Sequence, residues 1–142
     1  MMKRQIIYLE SWNWLVVAFY DCGPDDADEA LSALREIGCR GWQLFSARRN
    51  LKGIGRNNGV TYTNGRLRQS VMVIGKTSSA DEFANSYDHE KGHLVKQIVQ
   101  CEHMDPFGEE AEYLAGAVGG KSFKAAKGFL CDHCRRHMES FR

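Results

Sequence analysis

The sequence predicts an α+β fold: a small antiparallel or mixed sheet packed on a helical C-terminal half. β-Branched and aromatic runs bounded by Gly, Pro and Asn occupy the first half, and apolar residues at three- and four-residue spacing occupy the second. At 142 residues, with 43% hydrophobic and 26% charged residues, the chain has the size and composition of one globular domain. Residues 1–77 are expected to be sheet-rich, 79–119 to form a pair of helices, and 120–142 to form a C-terminal helix with a cysteine-bearing tail.

Trp12 to Tyr20 reads as a buried strand, closed by Asp21-Cys22-Gly23-Pro24. Pro24 then stands at a first helical position. The acidic residues Asp25, Asp26 and Asp28 follow, with Ala27, Ala30, Leu31 and Leu34 at helical spacing, so an amphipathic helix is expected with Gly38 as its C-terminal cap. Gly41 to Leu51 is compatible with helix or strand, and Gly53 to Gly59 with a loop. Val60 to Thr63 and Gln69 to Ile74 are strand-like. Asn64-Gly65 between them predicts a hairpin, because both residues tolerate positive φ. Ser79 and Glu82 form a capping box for a helix running to about Cys101, with Phe83, Tyr87, Leu94 and Ile98 on one face. A second helix is expected from near Asp105-Pro106, carrying Leu114, Ala117 and Val118, and a third over roughly 122–138.

The N-terminal apolar run, Ile6 to Leu9, is broken by Glu10, Ser11 and Asn13 before it reaches the length of a signal peptide or membrane span. The five cysteines, Cys22, Cys39, Cys101, Cys131 and Cys134, form no even framework, so reduced thiols and a cytoplasmic location are expected. A net charge of +1 gives no case for a nucleic-acid partner. The stretch between Glu36 and Asp81 nevertheless contains Arg40, Arg48, Arg49, Lys52, Arg56, Arg66, Arg68 and Lys76 and no acid. It also contains Trp42, Phe45 and Tyr62, which are read as buried aromatics beneath a solvated basic face.

The most informative motif is His89-Glu90-Lys91-Gly92-His93, an HExxH pattern in the middle of a predicted helix. Positions i and i+4 lie one turn apart on one face, so His89 and His93 can offer two imidazole nitrogens to one metal ion. Glu90 beside them could act as a base toward water polarised by that metal. A catalytic zinc usually takes a third protein ligand. Glu109, Glu110 and Glu112 on the following helix are the candidates downstream.

His-Glu-x-Gly-His followed by Glu on a second helix rich in small residues resembles the gluzincin branch of zinc metallopeptidases, in its minimal single-domain form. The resemblance spans roughly 59–119. It implies a zincin-like domain with the motif on a central helix, a Zn2+ ion held by His89, His93 and Glu109, and Glu90 as the general base of peptide hydrolysis. It also implies a peptide or protein substrate lying along an edge strand, either Val60 to Thr63 or Val71 to Ile74. Glu110 rivals Glu109, since Glu112 and Tyr113 stand where the family places a small and a polar residue. Tyr62, Tyr87, His103 and Tyr113 are chemically able to stabilise the oxyanion. The alternative reading is an inactive zincin-fold module contacting a protein or nucleic acid through 40–76.

Cys131-Asp132-His133-Cys134-Arg135-Arg136-His137 has the spacing of half a zinc site, with His137 and then His103 or Cys101 as further donors. It reads first as a pair of free or redox-labile thiols.

Overall fold

The computed structural model describes residues 1–53 and 59–139. Four strands, β1 (Lys3–Leu9), β2 (Trp14–Cys22), β3 (Val60–Asn64) and β4 (Gln69–Gly75), form one sheet in the order β1-β2-β4-β3. β1 is antiparallel to β2, β2 is parallel to β4, and β3 is antiparallel to β4. The helices are α1 (Ala27–Glu36), α2 (Gly41–Leu51), α3 (Ala80–Cys101), α4 (Glu109–Ala126) and α5 (Asp132–Glu139). The α+β class and the mixed sheet are as expected.

Both faces of the sheet are covered. Trp14, Val16, Ala18, Tyr20, Met72 and Ile74 pack with Phe83, Leu94 and Ile98 of α3 and Leu114 and Val118 of α4. Phe19, Cys22, Val71 and Val73 pack with Leu31 and Leu34 of α1 and Ala47 and Leu51 of α2. Strict alternation along β2 would put Cys22 on the Tyr20 face. Asp21 instead adopts φ 63, and the register with β4 shifts between Phe19 and Cys22, which sends Cys22 to the opposite core. Trp14 is fully buried, and its indole N–H donates to the Ser70 hydroxyl at 2.9 Å.

β1 arises from residues read in the sequence only for membrane length. Ile7 and Leu9 are buried while Ile6 and Tyr8 face outward, the two-residue period of a half-buried strand. Gly41 to Leu51, compatible with either state, is helical. The β3–β4 hairpin forms as expected, but positive φ falls on Arg68 and not on Asn64 or Gly65. The Asn64 side-chain oxygen accepts from the backbone N–H of Arg66 and Leu67, closing a longer turn. Gly38, at φ 95, terminates α1 as predicted. The loop expected over Gly53 to Gly59 lies largely outside the described residues, as does Arg56.

α3 has the expected bounds. Ser79 accepts from the Glu82 N–H at 3.2 Å, and the Glu82 carboxylate turns back to Ser78. α4 begins at Glu109, later than expected, after the Asp105 carboxylate accepts from the Phe107 N–H. The single helix predicted over 122–138 is broken. A 3-10 turn at Lys127–Phe129 separates α4 from α5, and Gly128 lies against the Met138 thioether, where an added Cβ would come within 3.1 Å of sulfur. Among the described residues, no helix is long and apolar enough to cross a membrane.

Candidate metal centre

α3 carries two unlike faces through the HExxH motif. Phe83, Tyr87, Glu90, Leu94 and Ile98 are buried against the sheet and α4, whereas His89 and His93 are exposed. The two imidazoles stand edge to face, with centroids 4.6 Å apart and their Nε2 atoms 3.1 Å apart. Two zinc–nitrogen bonds of about 2.0–2.1 Å at a tetrahedral angle hold their nitrogens about 3.3 Å apart. The pair thus already has nearly the separation that a shared metal requires. Without a metal, one ring N–H serves the other ring's nitrogen.

Glu90, 1% exposed, lies on the sheet side of the helix. Its Oε1 accepts from the Thr61 hydroxyl at 2.8 Å. A Cβ built at Gly59 would fall 2.7 Å from the other carboxylate oxygen and 2.9 Å from the Val73 carbonyl oxygen, so glycine is what lets the chain pass there. Gln97, two turns on, donates to the Thr61 carbonyl at 3.1 Å and accepts from the Thr63 hydroxyl at 2.8 Å. The edge strand β3 is thereby stitched to the motif helix through side chains. Thr61, Gly59 and Gln97 escaped the sequence reading, because nothing local in their sequence announces a partner about thirty positions away.

Burial raises the Glu90 carboxyl above its ordinary value, against the opposing pull of the Thr61 hydrogen bond and of His93 and His89. A raised folded-state value means the folded chain binds this proton more tightly than the unfolded chain. Stability from this group is therefore complete below the ordinary carboxylate range and is lost as pH rises through the raised value. Glu90→Gln keeps an oxygen for Thr61 and removes the charge. It is expected to be more stable than wild type at neutral pH by about 1 kcal/mol. Urea titrations should show that gap closing as the pH falls below the ordinary carboxylate range. An equal gap at both ends would remove the buried-charge account.

Glu109, the expected third ligand, is not brought to the histidine pair. The Tyr87 hydroxyl meets the Ser122 hydroxyl at 2.5 Å, which sets the register of the antiparallel helices α3 and α4. At 1.5 Å per residue, His93 lies about 9 Å along the axis from that level and Glu109 about 20 Å. The two helices also meet elsewhere on α3. The groove between them, about 960 Å³, is lined by Gly92, Val95 and Val99 from α3 and by Ala111, Glu112 and Ala115 from α4. Gly92 sits roughly 100° around the helix from His93. Among the described residues, no group of three or more His, Cys, Asp or Glu side chains stands together as a metal site. Glu110 is exposed at the start of α4.

The oxyanion candidates are dispersed. Tyr87 is buried and bonded to Ser122, Tyr113 is 68% exposed on α4, His103 follows α3 at φ 55, and Tyr62 is half-buried on β3. Three residues of the basic stretch are engaged within the fold. Arg68 pairs with Glu102 and lies over the Trp14 ring, Lys52 pairs with Asp28, and Arg40 donates to the Arg35 and Cys39 carbonyls. Trp42 and Phe45, expected to be buried, are 75% and 50% exposed and stack on each other at 5.5 Å.

Compared with models of known protein families, with curated proteins and with solved structures, the chain finds no match.

Proposed function

We propose that the chain is a zinc-dependent hydrolase of the metallopeptidase type, its metal held by His89 and His93 with Glu90 as the base. The observation that carries this reading is the 3.1 Å separation of the two Nε2 atoms on an exposed helical face. The pair fits two corners of a zinc site, and its exposure leaves further positions open to water and substrate. Bound there, zinc would polarise water and the scissile carbonyl. Glu90 would take the proton from that water and return it to the leaving amine, a task favoured by a carboxyl that burial pushes upward. Thr61 holds the carboxyl by one oxygen, and β3, the sheet-edge strand on which Thr61 lies, is the natural place for an extended peptide.

A second reading, a metal-binding module without turnover, is favoured by the near-complete burial of Glu90 and by the distance of Glu109 from the pair. Zinc titration separates the claims. Wild type is expected to bind one equivalent, and His89→Ala and His93→Ala to lose about 100-fold in affinity each, with Cys131→Ala unchanged. Wild type that takes up no zinc, or histidine variants that bind as tightly as wild type, would end the metal reading. Glu109→Ala reads the third ligand: lost affinity places Glu109 in the bound site, and unchanged affinity leaves a two-histidine site.

A further inference from the structure

The last motif of the sequence, Cys131-Asp132-His133-Cys134, has a geometry that the proposed metal chemistry does not use. α5 begins at Asp132, so Cys131 occupies the position just before the helix and Cys134 lies within its first turn. The Cys131 sulfur lies beside the backbone N–H groups of Cys134 and His133 and the Cys134 thiol. These contacts hold the Cys131 thiol below the ordinary cysteine range, with Asp132 opposing. Donating to Cys131 pushes the Cys134 thiol the other way. Both residues are exposed.

The turn that presents them is anchored on both sides. The Asp132 carboxylate accepts from the Ala80 N–H, at the start of α3, at 2.9 Å. Arg135 donates to the Thr77 carbonyl at 2.6 Å and to the Phe129 carbonyl at 3.5 Å. The other cysteines are unlike this pair. Cys22 and Cys39 are buried, and burial pushes the Cys22 thiol up to about 12. Cys101 is exposed, at the far end of α3.

We propose that Cys131 and Cys134 form a thiol–disulfide exchange centre for low-molecular-weight disulfides, in which Cys131 attacks and Cys134 resolves. The Cys131 thiolate attacks one sulfur of the disulfide. A Cys131–sulfur bond forms, the substrate S–S bond breaks, and one thiolate leaves to be protonated by water. Cys134 then gives its proton to solvent and attacks the Cys131 sulfur. The second substrate thiolate departs and is protonated in turn. Two electrons have passed from the dithiol to the disulfide, leaving Cys131 and Cys134 bonded to each other. A pair three residues apart at the start of a helix has the reach for that bond, and the turn that carries it is anchored through Asp132 and Arg135.

The full chain treated with oxidised glutathione, quenched with acid, alkylated and mapped by mass spectrometry tests this without depending on the metal. Cys131 in the wild type is expected to react at least about tenfold faster than exposed Cys101, with the Cys131–Cys134 disulfide as product. Cys134→Ser should accumulate glutathione on Cys131, and Cys131→Ser should slow Cys134 to the rate of Cys101. The wild-type comparison stands even where a serine variant folds poorly. Equal rates at Cys131 and Cys101, or no intramolecular disulfide in excess oxidised glutathione, would overturn the proposal. So would a zinc ion that shields both thiols in His89→Ala protein, since that makes the pair a metal half-site.

Discussion

Glu90→Gln is expected to bind zinc within about twofold of wild type and to lower peptide cleavage by about a thousandfold. The amide is nearly isosteric with the carboxylate and retains an acceptor for the Thr61 hydroxyl, so β3 and α3 stay joined. The imidazoles of His89 and His93 lie on the exposed face of the helix, so their place does not depend on the buried carboxylate's packing. What the amide cannot do is accept a proton. Cleavage of a diverse peptide library, measured beside metal content, gives the result. If the variant cleaves as fast as wild type, Glu90 is not the base. If zinc-loaded wild type cleaves nothing in the library, the module without turnover is the better account.

Phe83→Ala is expected to destabilise the fold by about 4 kcal/mol in urea or thermal unfolding. Phe83 is fully buried and stacks on Tyr87 at 5.8 Å and on Phe129 at 5.0 Å. It joins the first turns of α3 to the 3-10 turn after α4. Phe83→Leu should recover more than half of the loss, because it restores most of the volume without the stacking. A cost below about 1.5 kcal/mol for the alanine variant would mean that this end of α3 is free to repack.

The sequence made the local parts of this fold readable and left the non-local parts hidden. α3 could be bounded from Ser79 and its apolar face, and the β3–β4 hairpin from two short strands around Asn64-Gly65, because each signal lies within a few residues of its effect. β1 was missed as a strand since only its pairing with β2 makes four alternating residues significant. The end of α4 is expected near residue 120 and its last turns are joined to α5, because Lys127-Gly128-Phe129 carries no strong breaker. The break depends on Met138 folding back on Gly128 and on Asp132 reaching Ala80. The same division runs through the candidate site. That His89 and His93 share a face follows from helical geometry alone. That Glu90 is buried depends on where β3 and Gly59 lie, and the distance of Glu109 depends on a register set by Tyr87 and Ser122. Neither arrangement can be read from a motif.

The parallel pairing of β2 with β4 also governs the order in which the chain can assemble. Leu15 meets Gln69, and Phe19 meets Val73, so the central ladder closes only after a loop of some fifty residues has been brought together. That closure costs roughly 3 kcal/mol in chain entropy before any contact is gained. The β3–β4 hairpin and the α3 helix involve only near neighbours and form on the microsecond scale. The central pairing belongs to the slower regime of mixed α/β topologies. The helix bearing His89 and His93 can therefore wind before the sheet beneath it exists.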